Sequence, residues 1–253
     1  MIVAVSLLTM FAIGADPTPE QLTKARHDLA STNVEVRRAA VKQLIHSDLS
    51  AHMLPEMRAA LKDADGEVRA TAATAIGNLG AKAEPVIPTL VVQLEKDGFK
   101  DARETAARAL GRIGKAVPTE RSAVKPLKKT STEDADPVTR TVALGALAMM
   151  NEDVPGQVGA LRKFLAHDEP LVRMKAAHAL GMIGAPAKAA AAEIATVLEK
   201  ENDAHRRGYV ARALGNVGDA DFLPTLEKAL KKETDPGAQG EMRGAIQKLR
   251  GKP

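Results

Sequence analysis

Seven times along the 253-residue chain an arginine opens a run of small apolar residues, at a nearly constant interval. No other feature restricts the fold as much. Aligned on that residue the copies are Arg37, Arg69, Arg103, Arg140, Arg173, Arg207 and Arg243, spaced 32 to 37 residues apart. A period of this length marks stacked supersecondary units, none of which can bury its own apolar faces alone.

Each unit reads as two helices. Three residues after the arginine stand Ala40, Ala72, Ala106, Ala143, Ala176, Val210 and Ile246, and seven after it Leu44, Ile76, Leu110, Leu147, Leu180 and Leu214. That spacing places them on one face of a helix, with small side chains where a neighbouring helix can approach closely. Glycine pairs follow, at Gly77 and Gly80, Gly111 and Gly114, Gly181 and Gly184, and Gly215 and Gly218; they are expected to end the helix in left-handed turns. An earlier helix in each unit carries apolar residues spaced three then four, as in Leu54, Met57, Leu61 or Ile194, Leu198 after Ala191. The fourth unit follows this least well, with Val124, Leu127 and Ser131. Thr18, Pro19 and Gln21 form a capping box at the start of the first unit, and the last unit is charged and lacks the Leu-Gly-x-x-Gly phrase, as a terminal cap should.

The phrase D-x-x-V-R-x-x-A-A-x-A-L-G-x-I-G resembles the HEAT repeat, in particular the bacterial HEAT-like type of the phycobilisome lyases, over nearly everything from Thr18 onward. Tetratricopeptide and ankyrin repeats would bring recurrent aromatics or a Thr-Pro-Leu-His turn, and neither occurs. The resemblance implies an all-α, right-handed α-α superhelix, a HEAT-like solenoid of about seven helical hairpins, as a single domain over residues 16–253. It also implies a structural ladder in which Arg37, Arg69, Arg103, Arg140, Arg173 and Arg207 pair with turn aspartates, offered here by Asp63, Asp65, Asp101, Asp134, Asp136, Asp168, Asp203 and Asp235.

Residues 1–15, MIVAVSLLTMFAIGA, lack a charged side chain and end in small residues, so they read as a signal peptide of a chain exported to the periplasm or beyond; a cytoplasmic regulatory scaffold is the alternative. The stretch is too short for an ordinary membrane span, and no span is expected after its removal. Thirty-six Lys and Arg stand against 32 Asp and Glu, interspersed without a basic tract, which gives little support for nucleic acid. Aromatics are 2% of the chain and cysteine is absent, which removes stacking platforms, thiolate metal sites and thiol catalysis.

No His-Glu-x-x-His, Gly-x-Ser-x-Gly or Walker loop occurs, and the six histidines never precede a glutamate as they do in the HEAT-type hydroxylase. No catalytic, metal or cofactor residue is therefore expected. In HEAT solenoids the second helices line the concave surface, and positions one, five and nine after each arginine form its ridge. Here that ridge carries Arg38, Lys42, Arg108, Arg112, Met149, Met174, His178, Met182 and Arg212, with Tyr209 beside it. A basic groove with a methionine patch suits an acidic or amphipathic segment of a protein partner. The expectation is a monomeric, non-catalytic scaffold without a cofactor. The alternative is an enzyme or enzyme subunit of the phycobilin-lyase or HEAT-type hydroxylase class.

Overall fold

The computed structural model describes residues 16–45 and 48–251. The segment read as a signal peptide, residues 1–15, lies outside them, as does His46, nine residues after Arg37. Fourteen α-helices form seven hairpins among the described residues. The first helices are α1 (Pro19–Leu29), α3 (Leu54–Ala60), α5 (Ile87–Lys96), α7 (Val124–Glu133), α9 (Val154–Phe164), α11 (Ala191–Lys200) and α13 (Leu223–Lys232). The second helices are α2 (Val34–Leu44), α4 (Gly66–Asn78), α6 (Lys100–Ala116), α8 (Pro137–Met149), α10 (Pro170–Ile183), α12 (Ala204–Val217) and α14 (Pro236–Arg250).

Local chemistry sets where these helices start. Thr18 accepts from the Gln21 N–H while Gln21 reaches back to the Thr18 N–H, closing the expected capping box on α1. Asp65, Asp136, Asp203 and Asp235 are the N-caps of α4, α8, α12 and α14, each side chain accepting the backbone N–H three residues on at 2.8–3.0 Å. These four aspartates are thus occupied by helix starts.

Second helices stack closely on second helices, α4 on α6, α6 on α8 and onward to α14, whereas first helices touch their like much less. The second helices therefore form the inner wall of the curve. From α4 onward, closeness comes from a glycine–alanine contact at each junction. A Cβ added at Gly77 would lie 2.8 Å from the Cα of Ala109; at Gly111, 2.7 Å from that of Ala146; at Gly181, 2.8 Å from that of Ala213; and at Gly215, 2.6 Å from that of Ala245. This corrects the expected role of the first glycine in each pair, which sits inside its helix and lets the next backbone approach. Of these paired glycines only Gly80 and Gly184 take positive φ, at 55° and 75°, and turn the chain left-handed. Gly114 remains within α6, and Gly218 has an ordinary φ of −73°.

The same contact corrects the seventh unit. Ala245 stands six residues after Gln239, as Ala213 stands six after Arg207, so Gln239 and not Arg243 holds the repeated position. Its side-chain amide donates to the Glu233 carbonyl at 2.7 Å, the bond the arginines make elsewhere.

Buried side chains fall into two clusters. One runs from Val41 to Met150 and the other from Leu144 to Leu249, so the core changes hands around α8 and α9. The intervening turn holds both non-glycine residues with positive φ among the described residues, Asn151 at 57° and Asp153 at 43°.

Candidate functional site

The arginine near the start of each second helix uses two edges of its guanidinium. Nη1 donates to carbonyls of its own turn, from Arg37 to Ser31 at 2.9 Å, Arg69 to Asp63 at 2.8 Å, Arg103 to Asp97 at 2.9 Å and Arg207 to Asn202 at 2.8 Å. Nε and Nη2 fork onto a carboxylate of the following unit. Arg37 holds Asp63 at 2.7 and 2.9 Å, Arg69 holds Asp97 at 2.7 and 2.7 Å, Arg103 holds Asp134 at 2.8 and 2.9 Å, and Arg207 holds Glu233 at 2.6 and 2.9 Å. Such paired, charge-assisted bonds fix angle as well as distance.

The acids of this ladder stand six residues before the next repeated position. They are Asp63, Asp97, Asp134 and Glu233, so Asp97 and Glu233 replace the expected Asp101 and Asp235. Two expected rungs are missing. Arg140 donates through Nη1 to the Asp134 carbonyl at 2.5 Å, and Arg173 to the carbonyls of His167 and Asp168 at 2.7 Å each, but neither forks onto a carboxylate.

On the inner wall the expected ridge residues divide. Arg38 is tied into the scaffold, forked onto Asp65 at 3.0 and 2.6 Å and near Glu35 and Glu67. Lys42 is exposed and makes no ion pair among the described residues. Met174 is only 7% exposed and belongs to the second core, so it is part of the packing and not of the open ridge. Met149 is half-buried, while Met182 stays 46% exposed.

The remaining residues gather in the middle of the wall. Arg108, Met149, His178 and Met182 line one shallow cavity with Val142, Gly145 and Lys175. Glu104 accepts from Arg108 and, at 2.6 Å, from Lys175, 71 residues later. That bond skips a whole unit, reaching from α6 past α8 to α10 across the curved wall. Arg212 lies 4.6 Å over the Tyr209 ring and pairs with Glu241 at 3.1 Å. Arg112 bonds the Asn78 side chain and has no carboxylate partner among the described residues. Burial and the neighbouring Arg108 pull its pKa down, the mark of a cation without compensation.

His178 sits at the centre, edge-on to Tyr209 at 5.7 Å. Burial, then the positive charges of Arg212, Arg108, Lys175 and Arg112, lower its pKa from 6.5 to about 4. The ring is neutral at pH 7. Its folded value lies below the unfolded one, so the unfolded chain takes up the proton first as pH falls. The associated stability is complete above about pH 6.5 and is lost toward pH 4. His178→Leu is expected to flatten that decline, read as a smaller drop in melting temperature between about pH 7 and pH 5.

Lys175 was missed by the sequence pattern because it lies two residues after Arg173, off the one-five-nine ridge. Only the curvature brings it to Glu104. Among the described residues no group of three or more His, Asp and Glu is placed to hold a metal ion, and no helix is long and apolar enough to cross a membrane.

The model of HEAT repeats matches residues 18–91 and 124–197, more than half of the chain. The chain belongs to the HEAT-repeat family. Within it, residues 206–232 also match the PBS lyase HEAT-like repeat. Among solved structures, the complex of CpcE and CpcF of phycocyanin lyase from Nostoc sp. PCC7120 is 21% identical with a TM-score of 0.56, covering 98% of this chain and 100% of that one. Importin beta is 16% identical with a TM-score of 0.49 over 91% of this chain and 35% of its own. Designed armadillo repeat proteins for modular peptide recognition are 19% identical with a TM-score of 0.42, over 90% and 99%. These likenesses are likenesses of fold. No curated protein matches the sequence.

Proposed function

We propose that this HEAT-repeat protein is a non-catalytic scaffold whose inner wall binds an acidic, amphipathic segment of another protein. The observation that carries this reading is the cluster of Arg108, Arg112, Lys175 and Arg212 around His178, four cations that meet two carboxylates, Glu104 and Glu241, among the described residues. Arg112 in particular has lost water without gaining an anion, so a partner carboxylate stabilises it more than it would a solvated arginine. Beside it, the exposed Met182 and half-buried Met149 offer an adaptable apolar contact. A segment with carboxylates on one side and an apolar residue on the other satisfies both. The protein acts after export, once residues 1–15 have been removed.

A second reading, a subunit of an enzyme of the phycobilin-lyase class, is favoured by the full-length likeness of fold to the phycocyanin-lyase complex. One preparation tests both readings. Tagged full-length protein is recovered from its native host, with N-terminal sequencing, mass spectrometry of co-purifying chains and an absorption spectrum. A reproducible protein partner, released by salt and lost at least tenfold from an Arg108→Gln/Arg112→Gln/Arg212→Gln variant that still melts cooperatively, is the expected result, taking roughly 1.4 kcal/mol per tenfold. Undiminished recovery by the triple variant overturns the inner-wall reading, and a bilin absorption band favours the enzyme. An intact Met1 removes the export reading.

A further inference from the structure

The two missing rungs differ in what stands opposite them. At Arg173 the ladder position is Glu201, a carboxylate that has turned to its own unit's Arg206 at 3.0 Å. That leaves Glu201 Oε2 and Arg206 Nε buried without partners, and Arg173 retains an acid it can recapture within the chain. At Arg140 the ladder position is His167, and no such acid exists.

His167 copies half of what the ladder acids do. Asp63, Asp97, Asp134, Glu201 and Glu233 each accept the backbone N–H two residues on, at 2.8–3.0 Å, and His167 Nδ1 accepts the Glu169 N–H in the same way at 3.1 Å. That bond assigns the proton of the neutral ring to Nε2. The imidazole therefore offers a donor where every other rung offers an acceptor. Arg140 and His167 both approach the Phe164 ring, the guanidinium 6.0 Å from its centroid and the imidazole stacked at 6.3 Å. The Arg140 Nε–Nη2 edge has no acceptor among the described residues, although its Nη1 anchor to the Asp134 carbonyl is intact.

We propose that the Arg140 fork, together with His167 Nε2–H, is a binding site for a carboxylate supplied by a second protein, an aspartate or glutamate side chain that completes the empty rung. Carboxylate is the chemistry chosen because all four complete rungs show this fork in bidentate contact with one. A second protein is the source because a single fork at a half-buried position holds a free small acid only at roughly 10 mM or weaker. Such a contact is retained only within a larger interface, where it sets orientation. The site lies at the turn between α9 and α10, and does not depend on the inner-wall reading.

The test uses the full chain labelled with 15N-arginine, following the Nε–H signals during titration with sodium acetate against sodium chloride of matched ionic strength. Loss of one signal in Arg140→Lys assigns Arg140. It should move saturably with acetate, while Arg37, Arg69, Arg103 and Arg207, already paired, stay still. His167→Asp supplies the missing acid, so it should abolish the acetate response at Arg140 and raise the melting temperature; a folding defect then cannot explain the loss. Arg173→Gln should change the response less than about twofold. An Arg140 signal that ignores acetate, one that still responds in His167→Asp, or one that responds to inorganic phosphate and not to acetate overturns the proposal.

Discussion

Asp134→Ala should cost about 3 kcal/mol or more of unfolding free energy at neutral pH. The Asp134 side chain is 7% exposed and that of Arg103 16%. The substitution leaves Arg103 with its fork unpaired and out of reach of full hydration, and orphans the Asp136 N–H that Asp134 accepts at 2.9 Å. Removing both partners is milder than removing one, since the penalty comes mainly from the abandoned charge. Asp134→Ala combined with Arg103→Met should therefore recover much of the loss, a non-additivity that a double-mutant cycle in urea measures. The pH dependence has a definite sign. Burial pushes the Asp134 carboxyl up, but the bonds from Arg103 and the Asp136 N–H more than offset it and hold its pKa below the ordinary aspartate value. The stability from this rung is complete above the unfolded pKa of about 3.9 and disappears as pH falls through the folded value. Glu233, held down to about 2 chiefly by its bond from Arg207, follows the same course from its own unfolded value of about 4.3. The difference between wild type and Asp134→Ala should accordingly shrink in acid, when denaturation at about pH 7 is compared with pH 3.

The hairpins and the arginine column were legible because apolar spacing and a repeated charged residue report directly on helix faces. The acids were not, because each turn offers two of them. Asp63 and Asp65 look alike in sequence, yet one forks with Arg37 of the preceding unit and the other caps α4 while holding Arg38. Choosing between them requires the distance to a different repeat. Arg243 was matched by its charge, while Gln239 performs the carbonyl-holding bond with a neutral amide. On the inner wall, Arg108, Arg112 and His178 could be placed from the repeat alone. The Glu104–Lys175 bond could not, because it depends on curvature accumulated over two units. Met174 was misplaced for a different reason: a one-five-nine count along one helix does not report what neighbouring helices cover, and Met174 lies in the second core.

Glycine to alanine inside a helix normally stabilises, by up to about 1 kcal/mol, and Gly159→Ala in α9 should do so, since nothing lies within 4 Å of the added Cβ. Gly111→Ala in α6 should do the opposite, with a net loss of about 2 kcal/mol. There the new Cβ meets Ala146 at 2.7 Å from both Cα and Cβ and 3.3 Å from the carbonyl oxygen. A rotamer change relieves contact with a flexible side chain, but contact with backbone is relieved only by moving α8. That movement strains the Gly145–Ala179 junction beyond it, where a Cβ would already be within 3.1 Å of a methyl group. Removing the facing methyl in Gly111→Ala/Ala146→Gly restores only part of the loss, because the Ala146 Cα remains and a second helical glycine costs about 1 kcal/mol of its own. Chemical denaturation of the three variants decides the matter. Equal stabilisation by Gly111→Ala and Gly159→Ala would mean that the inner wall is not held by backbone approach, and that the recurring Leu-Gly phrase has another cause.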